Sequence, residues 1–363
     1  MAQPKYQLLQ QWLRDQINSG EYTANQQIPT ELELAEQFGY SRQTIRQAIS
    51  GLEQEGLLKR TPGRGTFVCR QNAGRVNRSE SRTRRVGVLT TYLDDYIFPG
   101  IINGIERVLS RHDYLFTLGL THNKTLDEAT ALQKLLAAGV DGLIIEGTKT
   151  ALPTPNEGIL QSFRDAGIPM VFINGCYDGA NDSYVLMDDV QSGELLTQHL
   201  IDRGHTQIGG IFKSDDIQGV KRYEGVVKGM QKNDEHIKDD CILWYTTEDV
   251  RYLFEGSMDE MILKRLADST AVVCYNDEIA AKLIDVLRRA GKRVPDDLSV
   301  VGFDNSPFAG SQLYNLTTVT YPAADIGETA ANVLMRCLED PEHREHIKIK
   351  PNIVKRGSVR CLK

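Results

Sequence analysis

Arg42, Gln43 and Arg46 lie close together on a segment whose apolar residues, Ile45, Ala48, Ile49 and Leu52, recur at helical spacing and so share the opposite face. Guanidinium forks and carboxamides match the paired acceptors and donors on base edges, so this face has the chemistry of major-groove readout. A second set of polar residues follows short apolar runs much farther along the chain: Thr90 to Phe98, Glu146-Gly147-Thr148-Lys149, Asn174-Gly175-Cys176-Tyr177, Asn276-Asp277-Glu278 and Asp304-Asn305. Carboxylates and amides mixed with aromatic rings suit a sugar, which offers apolar C–H faces and a rim of hydroxyls. Two scaffolds are therefore needed, one to present a short basic helix and one to gather distant loops around a cleft.

The first scaffold is legible in residues 28–49. They read as two short amphipathic helices separated by Phe38-Gly39-Tyr40-Ser41, where Gly39 permits a sharp reversal and Ser41 caps the helix that follows. That is helix-turn-helix syntax. Thr30 and Glu33 have the spacing of a capping box for the first helix of the pair. Tyr6, Leu9, Leu13 and Ile17 give a helix over 5–19 a packed face. Leu57 to Val68 reads as two short strands around Pro62-Gly63-Arg64-Gly65, a basic hairpin beside the recognition helix, which is a wing.

At 363 residues the chain exceeds what one core usually supports. Its net charge of -7 is unevenly placed: residues 1–85 hold thirteen Lys/Arg against eight Asp/Glu, a balance of +5, which leaves -12 for the rest. A basic head favours phosphate contact, and an acidic body stays off nucleic acid. Hydrophobic content of 40% and charged content of 25% are those of an ordinary soluble protein. No apolar run approaches the roughly twenty residues that cross a bilayer. Met1-Ala2-Gln3-Pro4 begins no secretion signal, so a cytoplasmic location is expected. The six cysteines are scattered without a Cys-x-x-Cys pair, which points to reduced thiols. His343 and His346 sit in what reads as a solvated turn, and neither a metal nor a cofactor is expected.

From 71 to 83 the chain is polar and aperiodic, as a linker is. The expected division is a DNA-binding domain over 1–70, a linker over 71–85 and a cleft-bearing body over 86–363. In the last, strands over 114–120, 142–145, 170–174, 208–212, 241–245, 271–275 and 298–303 follow an apolar run at 86–90. They alternate with helices over 101–111, 126–138, 192–203, 220–232, 259–267 and 278–290. Such alternation implies α/β architecture with parallel sheets covered on both faces, and sites at the carboxyl ends of the strands. The pairs Asp188-Asp189 and Asp94-Asp95 raise a rival reading, a sugar-acting enzyme with an acid and a base. No nucleophile–base signature or phosphate loop accompanies them, and adjacent residues on a strand point to opposite faces.

The head, from Lys5-Tyr6 through Pro29-Thr30-Glu31 to Gly65-Thr66-Phe67-Val68, resembles the winged-helix domain of GntR-type bacterial regulators. The resemblance implies DNA contact by Lys5, Glu31, Ser41, Arg42, Gln43, Thr44, Arg46, Arg64 and Gly65. The body resembles the effector domain of LacI-type repressors through Met187-Asp188-Asp189-Val190-Gln191-Ser192-Gly193, Arg203-Gly204-His205-Thr206-Gln207-Ile208, Arg222-Tyr223-Glu224-Gly225, Asn276-Asp277-Glu278-Ile279-Ala280 and Leu298 to Asp304. That family has a periplasmic-binding-protein-like fold of two subdomains joined by three crossovers. Mapped here they are 86–179 with 322–345, and the rest. In it Arg222, Asn276 and Asp304 match sugar-binding positions, while Asp189, Gly193 and Gly204 read as a helix cap and tight turns. Tyr96, Phe98 and Glu146 join the expected sugar contacts from their strand-end loops. A GntR-type head on a LacI-type body, with the Asp95-Tyr96-Ile97-Phe98-Pro99 and Glu146 to Lys149 loops, is similar to the bacterial arabinose repressors. The implied partners are operator DNA, a second copy of the chain and a sugar, L-arabinose, that releases the dimer from DNA.

Overall fold

The computed structural model describes residues 4–18, 21–23, 26–54, 57–61, 64–68, 82–177, 179 and 181–363, with the side chains of 18 and 54 excepted. The chain divides into two compact units, Met1–Ser81 and Arg82–Lys363.

In the first unit, α1 (Lys5–Asn18), α2 (Glu31–Phe38) and α3 (Arg42–Gln54) are followed by the antiparallel pair β1 (Leu58–Thr61) and β2 (Gly65–Val68). Leu9, Leu13, Leu34, Ile45, Ala48, Ile49 and Leu52 are all 0% exposed and form one core, as their spacing requires. The expected capping box is present: the Thr30 side chain accepts from the Glu33 amide at 3.3 Å, and Glu33 Oε2 accepts from the Thr30 amide at 2.7 Å. Gly39 ends α2 at φ 63°, a left-handed conformation that costs glycine nothing.

The second unit holds two six-stranded sheets. The first has the order β13-β7-β6-β5-β3-β4, with β3 (Arg85–Thr90), β4 (Leu115–Leu120), β5 (Gly142–Ile145), β6 (Met170–Ile173), β7 (Ser183–Met187) and β13 (His346–Ile349), all parallel. Helices α4 (Phe98–Arg111) and α12 (Ala323–Glu339) cover one face, and α5 (Thr125–Ala137) and α6 (Glu157–Asp165) the other. The second sheet has the order β14-β12-β11-β10-β8-β9, with β8 (Ile208–Lys213), β9 (Ile242–Tyr245), β10 (Ala271–Cys274), β11 (Ser299–Asp304), β12 (Thr317–Thr320) and the antiparallel β14 (Ile353–Val354). Here α7 (Asp189–Asp202) and α8 (Ile217–Gln231) cover one face, with α9 (Val250–Leu253), α10 (Asp259–Arg265) and α11 (Asp277–Arg289) on the other. The chain passes between the lobes three times, after β7, after β12 and after β13.

Several expectations need correction. The first lobe reaches farther than 179 and 345, because β7 pairs with β6 and β13 with β7. The burial of β7 alternates along its length, a weaker apolar signal than the fully buried runs of β5 and β6. Residues 71–81 of the expected linker lie outside the described residues. Its last part belongs to the body: Arg82 donates to the Leu338 carbonyl at 2.6 Å, Thr83 to Asp141 at 3.1 Å, and Arg85 opens β3. His346 is no turn residue but begins β13, stacked on Tyr184 at 4.5 Å.

Candidate functional site

The carboxyl ends of the strands from both lobes face one cavity of about 670 Å³. From the second lobe come Arg222 on α8, Tyr275 and Asn276 after β10, Asp304 at the end of β11, Lys213 at the end of β8 and Asp216 after it. From the first come the 91–98 loop after β3 and Glu146 after β5, with Tyr321 just past β12. All six residues expected to meet a sugar, Tyr96, Phe98, Glu146, Arg222, Asn276 and Asp304, line this cavity.

Arg222 is its organising residue. Gly193 and Gly225 let α7 and α8 touch backbone to backbone, since a Cβ on Gly193 would lie 2.3 Å from the Arg222 carbonyl oxygen. This close approach buries Arg222 against the start of α7. Its Nε donates to Asp189 Oδ1 at 2.8 Å, its Nη1 to the Tyr275 carbonyl at 2.6 Å and its Nη2 to Asp304 Oδ1 at 3.2 Å. Burial disfavours the charge, but Asp304 and Asp189 beside it more than offset this and hold its pKa above the ordinary value. Asp189 is pushed up to about 6 by burial, despite the neighbouring Arg222. Two sequence readings change here. Asp188, not Asp189, caps α7, accepting from the Gln191 amide at 3.0 Å, and Gly193 is a helix-contact glycine instead of a turn. Gly204, at φ 92°, is the expected turn.

Asn276 caps α11, its Oδ1 accepting from the Ile279 amide at 3.0 Å, which leaves its Nδ2 toward the cavity without a protein partner among the described residues. Asp304 sits at φ 98°, a strained conformation for a residue with a Cβ. Its Oδ2 accepts from the Tyr96 hydroxyl at 2.6 Å. Glu146 accepts from the Thr91 amide at 2.7 Å, the Thr91 hydroxyl at 2.8 Å and Asn174 Nδ2 at 2.8 Å. Burial pushes its pKa up to about 7 even so. Asp95 is raised to about 6 by burial and by Asp304 and Glu278. Phe98 touches the cavity but is 1% exposed and packs in the core under α12, so it is framework more than platform.

Sequence reasoning missed Lys213, Asp216, Tyr245, Tyr275 and Phe308, which also line the cavity. The strand-end rule applied to the end of β8 and the residues that follow would have found Lys213 and Asp216. Both cations of the cavity are matched within the protein, Arg222 as above and Lys213 by Asp216 at 2.5 Å. Six carboxylates share the walls with these two cations: Asp94, Asp95, Glu146, Asp216, Glu278 and Asp304. The lobes also meet beside the cavity, where Lys149 Nζ donates to Asp215 at 3.1 Å and to Glu248 at 2.8 Å, and Asn123 Nδ2 to Thr247 at 2.6 Å.

In the head, Arg42, Gln43 and Arg46 are exposed on α3. Glu31 holds two arginines at once, accepting from Arg46 Nε at 2.7 Å and Arg60 Nη2 at 3.0 Å. Ser41 accepts from the Thr44 amide at 3.2 Å and shares a hydrogen bond with the Thr44 hydroxyl, which caps α3. Lys5 lies over the Tyr40 ring at 5.3 Å. Arg64 is exposed at the hairpin, Gly65 has φ 111°, and Pro62 and Gly63 lie outside the described residues.

Residues 5–68 match the gntR family of bacterial regulatory proteins, and residues 197–359 a periplasmic binding protein-like domain. The chain is 39% identical over 361 residues, 98% of each protein, to the arabinose metabolism transcriptional repressor of Geobacillus stearothermophilus. This chain belongs to the arabinose metabolism transcriptional repressors. The namesake from Halalkalibacterium halodurans is 36% identical over 361 residues, 98% of this chain and 96% of that one. A crystal structure of a LacI family transcriptional regulator from Enterococcus faecium with bound ribose is similar to the body of this repressor, at 26% identity and a TM-score of 0.63 over 77% of this chain and 100% of that one. The repressor therefore joins a GntR-type winged helix to a LacI-type α/β effector body, and it is a sugar-responsive regulator of transcription. No helix among its described residues is long and apolar enough to cross a membrane.

Proposed function

We propose that the cleft binds a neutral monosaccharide, L-arabinose, and that the sugar releases the homodimeric repressor from a near-palindromic operator in the cytoplasm. The observation that carries this reading is the constellation of Arg222 on α8 with Asn276 and Asp304 at the ends of β10 and β11, walled by Tyr96, Tyr275 and Phe308. A guanidinium-braced carboxylate and a free amide N–H suit adjacent hydroxyls, and the rings suit the C–H faces of a pyranose. The name of the relatives supplies the sugar. Because both cavity cations are already paired, a neutral ligand is favoured over a phosphorylated one. In the head, Arg42, Gln43 and Arg46 read bases, while Lys5, Thr44 and Arg64 meet the backbone. Glu31, Ser41 and Gly65 hold these groups in place.

The rival enzyme reading loses one of its two acid–base pairs, since Asp188 is spent on a helix cap and Asp189 on Arg222; the other, Asp94-Asp95, lies on the cavity wall, and a turnover assay decides it. Calorimetric titration of the purified protein against a panel of aldopentoses and aldohexoses tests the sugar reading. L-Arabinose should bind tightest and be recovered unchanged; no heat with any sugar, or turnover of one, contradicts it.

A further inference from the structure

The carboxylate best placed to receive a sugar hydroxyl is already occupied. Asp304 Oδ1 faces Arg222 and Oδ2 accepts from the Tyr96 hydroxyl at 2.6 Å, and the side chain is only 7% exposed. A carboxylate oxygen has room for a second donor in principle, but among the described residues each Asp304 oxygen has only one. Tyr96 is carried by the first lobe, on the short loop between β3 and α4, whereas its tip and ring are held by the second. The ring meets Phe308 edge to face at 5.7 Å, and Phe308 is itself braced by Tyr314 at 6.0 Å. A phenol and a sugar hydroxyl are alike as donors to a carboxylate.

We propose that Tyr96 is a built-in competitor of the sugar: its hydroxyl fills the Asp304 acceptor in the free protein, bridges the two lobes, and has to leave before a sugar hydroxyl takes its place. The proposal rests on the reading of the cleft as a sugar site, and it refines that reading in a way that reverses the sign of a mutation. If Tyr96 were a plain sugar contact, removing its hydroxyl would weaken binding. As a competitor, removing it strengthens binding. The kinetics separate the two as well, since a group that has to vacate the site slows association, whereas a direct contact slows dissociation.

The experiment compares wild type, Tyr96→Phe and Phe308→Leu by calorimetry and stopped-flow fluorescence with L-arabinose, D-xylose, D-ribose and D-galactose, with thermal melts to confirm folding. Tyr96→Phe should bind the preferred sugar roughly tenfold tighter, the size of one charge-assisted hydrogen bond released from competition. The gain should appear in the association rate. Phe308→Leu, which loosens the Tyr96 ring but also removes an aromatic wall of the cleft, should speed association while losing the contact that slows dissociation, so its association rate and not its affinity is the readout. Equal or weaker binding by a folded Tyr96→Phe, or a gain confined to dissociation, overturns the competitor while leaving the sugar site standing. Failure of all three proteins to bind any of the sugars overturns both.

Discussion

Replacing Arg222 with lysine keeps the charge but removes the fork. The guanidinium serves three acceptors in different directions, Asp189, the Tyr275 carbonyl and Asp304, from a side chain 4% exposed to solvent. One ammonium nitrogen cannot reach all three, so at least one and more often two are left without their donor. Each buried group left unsatisfied costs about 1–3 kcal/mol, so a loss of roughly 2–4 kcal/mol is expected. Against the roughly 5–15 kcal/mol of a typical fold, the variant stays folded.

The protein offers a convenient reporter, because its two tryptophans fall one in each unit, Trp12 in α1 and Trp244 in β9. Trp244 packs on Tyr223, the neighbour of Arg222, at 5.1 Å. In a Trp12→Phe background, urea unfolding followed at Trp244 should therefore show the whole loss. The pH dependence has a definite sign. Asp189 has a folded pKa of about 6, above its ordinary value, so its ionisation costs stability at neutral pH and that cost is relieved as pH falls through 6. Without the fork its pKa rises further. The gap between variant and wild type should then be larger at pH 8 than at pH 5.5. An Arg222→Lys protein within 0.5 kcal/mol of wild type, on the roughly 1 kcal/mol scale of a single hydrogen bond, would refute the bracing role.

Arg42→Ala, on the exposed face of α3, should lose about 1–3 kcal/mol of operator preference while sugar binding survives, as a gel shift against random DNA and a calorimetric titration would show. Asp304→Ala removes the acceptor of both Arg222 and Tyr96, and should weaken sugar affinity by more than the roughly 1 kcal/mol of one hydrogen bond while operator binding without sugar is kept. Asp95 and Asp189 near 6 and Glu146 and Asp277 near 7 are all raised above their ordinary values. Their contribution to stability is complete below the unfolded pKa and lost as pH rises through 6 to 7, so the body should melt higher at pH 5.5 than at pH 8 in a calorimetric scan.

Much of this was legible in the residues. The helix pair, its capping box and the buried face of Ile45, Ala48, Ile49 and Leu52 follow from spacing alone, because local capping and one packed face decide such elements. The alternation of apolar runs with amphipathic helices marked parallel sheets covered on both faces, the likeness to LacI-type repressors implied their division into two subdomains, and the polar strand ends marked the cavity. What was missed had weaker local signals. β7 and β13 alternate in burial, and β12 is rich in threonine, so none reads as a continuous apolar run. Asp189 and Gly193 looked like a cap and a turn because their partners, Arg222 and Gly225, are more than thirty positions away in the chain. The occupation of Asp304 by Tyr96, 208 positions apart, is a tertiary fact that no local pattern carries.

The central claim is that the cleft and the head are coupled, and linkage makes that claim symmetrical. A sugar that alters how the two bodies of a dimer are set changes the effective concentration of the second head on the operator. Whatever factor sugar takes from operator affinity, operator has to take from sugar affinity. The direct test is the L-arabinose affinity of the full-length protein measured with and without saturating two-half-site operator. The account predicts weaker sugar binding on DNA, by the same factor by which sugar weakens operator binding; identical sugar affinities in the two conditions would contradict it.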